Sequence, residues 1–118
     1  MTVTVYGIKA CDTMKKARDW LDDHGVVHAF HDYKSVGIDR ERLVRWVEAL
    51  GWEAVLNRAG TTFRKLTESQ KQDLDAAKAV DLMLAQPSMI KRPMLDINGA
   101  LTAGFKPDLY ARLFEAAA

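Results

Sequence analysis

The stretch Tyr6-Gly7-Ile8-Lys9-Ala10-Cys11-Asp12-Thr13-Met14-Lys15-Lys16-Ala17 decides how the chain is read. Before it, Val3 and Val5 give the apolar run of a strand. Within it come a glycine and a short turn, and a helical pattern begins just after Cys11. The only cysteine of the chain therefore falls at a strand-to-helix junction, beside the first free N–H groups of the helix. The positive end of the helix dipole favours a thiolate there, and the thiolate is the reactive form. A lone cysteine is more commonly a small buried apolar residue. Here its neighbours are Asp12, Thr13, Lys15 and Lys16, which is not the lining of a core, and the reactive reading is preferred.

Outward from this junction, residues 12–24 read as a helix with Met14, Ala17, Trp20 and Leu21 on one face. Gly25 ends it, and Val26 to Tyr33 reads as a second strand. Strand, helix and strand over some thirty residues make a βαβ unit, so the two strands are expected to be parallel. Gly37 closes that unit. Asp39 is placed as an N-cap, with Ile38 and Leu43 spaced for a hydrophobic staple. The helix it opens runs to Leu50 on Leu43, Val44, Trp46 and Val47, and Gly51 stops it. Residues 52–66 give only a short apolar turn and the polar run Asn57-Arg58-Ala59-Gly60-Thr61-Thr62. Thr67 with Gln70 fits a capping box opening another helix, and a further helix covers about 75–85 on Val80, Met83 and Leu84. No strand pattern and no flexible linker marks this middle third, so it reads as an all-helical insertion, about 39–90, in one domain spanning 1–118.

After Pro87, Met94 to Ile97 reads as a strand. Asn98-Gly99 is a strong hairpin signal, and Ala100 to Ala103 returns. Gly104-Phe105-Lys106-Pro107 leads into a last helix buried on Leu109, Tyr110, Leu113 and Phe114. The order β-α-β, helical insert, β-β-α is that of an α/β, thioredoxin-like domain. Its signature proline falls at Pro93, directly before the third strand, where the preceding bond is a candidate for the cis form. A trans proline starting a strand is the plainer alternative.

Gross composition narrows the function. The chain has 118 residues, 48% of them hydrophobic and 28% charged, with net charge +1. That balance gives no bulk attraction to nucleic acid or membrane, so any anion site is a local cluster. One cysteine allows no internal disulfide, which suits a reducing compartment. No signal-peptide pattern and no run of about 20 apolar residues is present, and a cytoplasmic location is expected. His24, His28 and His31 lack partners at ligand spacing, so no metal site is expected.

Cys11 with Thr13, then Asn57-Arg58-Ala59-Gly60-Thr61-Thr62-Phe63-Arg64-Lys65-Leu66, Ile90-Lys91-Arg92-Pro93 and Gly104-Phe105-Lys106-Pro107 together resemble the ArsC/Spx family. The likeness is strongest to its YffB-like, arsenate reductase-related branch and covers essentially the whole chain. The resemblance implies a thioredoxin-like fold with a helical insertion. It also implies one nucleophilic cysteine and three arginines that hold an oxyanion. Cys11 matches the nucleophile, Arg58 the first arginine and Arg92 the second, while Lys106 stands where the third would be. Lysine keeps the charge but loses the two-pronged contact, which counts against arsenate. Met14 occupies the second position of the Cys-x-x-Cys switch typical of Spx, so that disulfide cannot form.

The function these residues imply is a glutathione-dependent thiol–disulfide reductase. Cys11 is the catalytic residue, and Arg58, Arg92, Lys106 and Thr13 bind the anion. No cofactor is bound, and glutathione serves as co-substrate. The partners expected are glutathione and a small-molecule or protein mixed disulfide, with glutaredoxin as a further candidate. Arsenate reductase and a non-catalytic Spx-like protein-binding regulator are the alternatives. Each residue also has a duller account. Arg58, Arg64 and Lys65 form a cationic run of the kind usually left in solvent, and Lys91-Arg92 can be a polar strand edge. Lys15 and Lys16 oppose the dipole at their helix start, which modestly favours an anion nearby. Asp32-Tyr33-Lys34 lies where crevices of parallel sheets form, beyond a strand's C-terminal end. Trp20, Trp46 and Trp52 read as core or interface residues.

Overall fold

The computed structural model describes residues 2–117. The chain divides into two compact units. One runs from the start of the chain to Asp32 and resumes at Arg92; the other is Tyr33–Lys91.

The first unit holds a four-stranded sheet built from β1 (Val3–Gly7), β2 (Ala29–Asp32), β3 (Met94–Ile97) and β4 (Ala100–Ala103), in the order β2-β1-β3-β4. As the βαβ spacing implies, β1 and β2 are parallel, with Val5 opposite Phe30 and Gly7 opposite Asp32. β1 and β3 are antiparallel, as are β3 and β4, so the thioredoxin-like topology read from the element order is the one observed. α1 (Asp12–Asp23) buries Met14, Ala17 and Leu21, and α7 (Pro107–Ala117) contributes Tyr110. These pack with Val3, Val5, Leu95 and Ile97 into one apolar cluster. Burying side chains of this size stabilises by roughly 1.5–3 kcal/mol each.

Turn chemistry sets the strand limits. At the end of α1 the Gly25 N–H donates to Asp22 O (3.1 Å) and the Val26 N–H to Leu21 O (2.8 Å), the paired bonds of a Schellman cap. Val26 is thereby packed against the cluster holding Leu21. The chain meets β1 only at Ala29, so the second strand is shorter than the expected Val26–Tyr33, and Val27 is 90% exposed. At the β3–β4 hairpin Asn98 (φ 53°) and Gly99 (φ 93°) both take positive φ, the conformation the Asn-Gly pair predicts.

In the second unit Asp39 caps α2 (Arg40–Leu50), accepting the Arg42 N–H at 2.7 Å. α2 buries Leu43, Trp46 and Val47, whereas Val44 faces out. Residues 52–66, unclear in the sequence, form two single-turn helices, α3 (Trp52–Val55) and α4 (Thr61–Arg64). The capping box is present: Gln70 N–H donates to Thr67 Oγ1 (3.2 Å) and Thr67 N–H to Gln70 Oε1 (2.9 Å). The helix it opens, α5 (Glu68–Lys71), is one turn long and is followed at Asp73 by a positive φ of 52°. α6 (Ala76–Ala85) starts on Asp75, which accepts the Lys78 N–H at 2.8 Å, and a 3₁₀ turn, Pro87–Met89, follows.

Every element of the insertion is helical, as expected, and one isolated bridge lies within it. Leu56 and Ile90 form an antiparallel bridge, flanked by Asn57 N–H donating to Met89 O (2.7 Å) and Lys91 N–H donating to Val55 O (2.8 Å). This is a two-ended backbone clip with too few residues on either side to leave an alternating pattern in the sequence.

Candidate functional site

Cys11 is the N-cap of α1, in extended backbone (φ −134°, ψ 126°). Its carbonyl accepts the Lys15 N–H at 3.0 Å, while its side chain makes no capping hydrogen bond. A serine or aspartate here would spend its side chain on the N2 or N3 amide. The thiol spends nothing on the cap and is left beside the amides of the first turn. It is half-buried, unpaired with any other cysteine, and packs against the sheet–helix cluster, as does Phe105. Gly7 brings the strand close to α1 at this point: a Cβ on Gly7 would collide with the Met14 sulfur.

Sheet register gathers the other residues of this unit. Because β1 and β3 are antiparallel, with Tyr6 opposite Met94, the C-terminal end of β1 lies beside the start of β3. Met94 pairs with Ala103, so the end of β4 is there too. The Cys11 turn, Arg92-Pro93 and Gly104-Phe105-Lys106 consequently leave the sheet at one end, joined by Asp32 at the end of β2. The Arg92–Pro93 peptide is cis. The buried Pro93 accepts the Gly104 N–H on its carbonyl at 2.8 Å, tying the Lys106 turn to the start of β3. Arg92 is half-buried; Lys106 and Thr13 are exposed.

Arg58 belongs to the second unit, where it is exposed on the loop between α3 and α4. The clip at Leu56–Asn57 anchors one side of that loop. On the other side Asn57 Oδ1 accepts the Ala59 N–H at 3.2 Å, and a Cβ on Gly60 would come within 2.9 Å of Asn57 Nδ2. The loop is therefore tight, and its arginine is further held with its guanidinium 5.4 Å from the Trp52 ring centre, within cation–π range. The sequence had placed Trp52 only as a core or interface residue. Its service to Arg58 depends on the two short helices flanking the loop, which carry no legible pattern.

Arg18 is the second residue that sequence reasoning passed over. Its guanidinium sits 4.4 Å over the Phe30 ring, and its Nε is buried without a hydrogen-bond partner. The signal was available: positions 11, 15, 18 and 22 follow the i, i+4, i+7, i+11 spacing of one helix face. Among the described residues no three His, Cys, Asp or Glu side chains converge as a metal site would require. None of the described helices is long and apolar enough to cross a membrane.

A family model for the ArsC family matches residues 6–113. Among solved structures, the chain is similar to the YFFB protein, at 69% identity and a TM-score of 0.91 over 94% of this chain and 97% of that one. It is also similar to an arsenate reductase (ArsC) related protein from Brucella melitensis, at 59% identity and a TM-score of 0.80 over 98% of this chain and 96% of that one. A more distant relative is the global transcriptional regulator Spx of Streptococcus mutans, 27% identical over 90% of this chain and 78% of the regulator. With a cysteine-capped first helix, a cis-proline at the start of β3 and a family match over most of its length, the chain is a member of the ArsC family.

Proposed function

We propose that the chain is a single-cysteine thiol–disulfide reductase that takes its reducing equivalents from glutathione. The observation that carries this reading is the state of Cys11: half-buried at the cap of α1, its side chain uncommitted, at the sheet end where Arg92 and Lys106 also emerge. In the first step the Cys11 thiolate attacks the glutathione sulfur of a mixed disulfide R–S–S–G. The S–S bond between R–S and glutathione breaks, a Cys11–S–S–G bond forms, and the departing R–S⁻ takes up a proton. In the second, a glutathione thiolate attacks the glutathione sulfur of that adduct, releasing glutathione disulfide and restoring the Cys11 thiolate. No resolving cysteine is required, which suits a chain that has none. Arg92 and Lys106 supply cations for a carboxylate-bearing thiol, and Arg58 matches the first of the arginines that hold an oxyanion in arsenate reductases of the family.

The test is turnover of a glutathionylated peptide by wild type and Cys11→Ser, with intact-mass detection of the intermediate. A transient mass gain of one glutathione on wild type, absent in the variant, is expected. Turnover that survives Cys11→Ser removes the proposal. Arsenate reduction is the second reading, favoured by the Brucella melitensis relative's description and opposed by Lys106. A regulator's role has the Spx relative behind it, and a chain that binds polymerase subunits yet turns over no disulfide would promote it.

A further inference from the structure

Along the flank of α1 a hollow of about 330 Å³ is lined by Lys9, Lys15, Arg18, Asp19 and Asp22. Its charges are unequally used. Lys15 Nζ is engaged by Asp19 Oδ2 at 3.1 Å, and this exposed pair largely cancels itself. Among the described residues Arg18 has no carboxylate partner, although Asp22 lies one turn further along the same face. The guanidinium instead lies 4.4 Å over the Phe30 ring, and its buried Nε has no hydrogen-bond partner among the described residues. A guanidinium packed on an aromatic ring, next to a lysine that makes no ion pair among the described residues, matches a carboxylate. Asp22 Oδ1 is 4.0 Å from His28 Nδ1, longer than a hydrogen bond, so this carboxylate keeps acceptor capacity for an ammonium group.

From this we infer that the hollow is a subsite for the free amino-acid end of the reacting thiol or disulfide. The α-carboxylate lies on Arg18 and Lys9, and the α-ammonium on Asp22. The inference rests on the glutathione reading, because the γ-glutamyl end of that tripeptide carries both charges on one carbon. It is joined to the cysteine site by helix geometry: Cys11, Lys15, Arg18 and Asp22 form one stripe on α1. With two uncommitted cations and the Asp22 carboxylate in its lining, the hollow suits a zwitterion.

The experiment uses two unreactive probes, S-methylglutathione and S-methylcysteinylglycine, which lacks the γ-glutamyl end. Both are titrated into wild type and Arg18→Gln and followed by backbone amide shifts. Wild type is expected to bind S-methylglutathione at least fivefold more tightly than the shorter probe, with shifts along residues 15–22. In Arg18→Gln that preference is expected to vanish while the affinity for the shorter probe stays the same. An undiminished preference in the variant overturns the subsite and leaves the glutathione reading standing. Failure of wild type to bind either probe overturns both. Asp22→Asn is the second variant and is expected to weaken only the longer probe; an unchanged affinity there removes the ammonium half of the assignment.

Discussion

The sulfur of Met14 occupies the space that a side chain on Gly7 would need, so the last residue of β1 and the first buried residue of α1 are fitted to each other. Cys11 lies between them in the chain. Overpacking of this kind costs about 1–3 kcal/mol. Gly7→Ala is expected to lower stability by that amount and to change the rate at which Cys11 is alkylated, since Met14 sits on the first turn that Cys11 caps. Met14→Ala opens a cavity and costs about 2–5 kcal/mol alone. In that background Gly7→Ala should cost much less than in wild type. Urea melts of the four proteins check this, and additive costs would show that the contact does not matter.

Trp52 holds Arg58 by ring stacking, at a site exposed enough that the interaction is worth about 0.5–1 kcal/mol. Trp52→Ala is expected to raise KM for the glutathionylated substrate about two- to fivefold with little change in thermal stability. Trp52→Phe should recover most of it. Combined with Arg58→Gln, Trp52→Ala should add nothing. Steady-state kinetics of the single and double variants decide the matter.

Tyr110 is fully buried against Trp20, Phe105 and Phe114, and its hydroxyl has no hydrogen-bond partner among the described residues. Burial pushes its phenol well above the ordinary value. The folded state thus keeps its proton where the unfolded chain loses it, and stability falls as the pH rises beyond about 10. Tyr110→Phe is expected to remove this alkaline loss and, by deleting an unsatisfied group, to be neutral or stabilising by about 1 kcal/mol at neutral pH. Thermal melts at neutral pH and at pH values above the phenol's ordinary range provide the comparison.

By resemblance, Lys106 matches the position of the third arginine of arsenate reductases of the family. If the missing two-pronged contact is what limits arsenate, Lys106→Arg should create or raise arsenate reduction measurably, with little effect on folding, because the side chain is exposed. An unchanged arsenate rate, read alongside intact disulfide turnover, would place the barrier elsewhere.

What the sequence revealed follows physical range. The parallel pair β1–β2, the Asn-Gly hairpin, the Asp39 cap and the Thr67–Gln70 box are local patterns, and each is where its residues put it. The start of β2 was misjudged because Val26 and Val27 look alike in a string. The Schellman cap turns Val26 inward and leaves Val27 in solvent. The clip between Leu56 and Ile90 joins residues far apart in the chain through backbone groups, which have no letter in a sequence. Of the candidate site, Cys11, Arg92, Pro93 and Lys106 were named from position and resemblance, and the sheet register puts their segments at one end. Arg18 shares a helix face with Cys11 and could have been found by spacing, whereas the pairing of Trp52 with Arg58, like that of Arg18 with Phe30, is set by packing.

With a single cysteine, the chain cannot store its own oxidation as an internal bond. Any disulfide state of Cys11 is an adduct with something else, and it carries the size and charge of whatever arrived last. Such a protein keeps a record of its most recent encounter, written as added mass on one residue. Its oxidised population in a cell extract can be read as a census of the disulfides available to it.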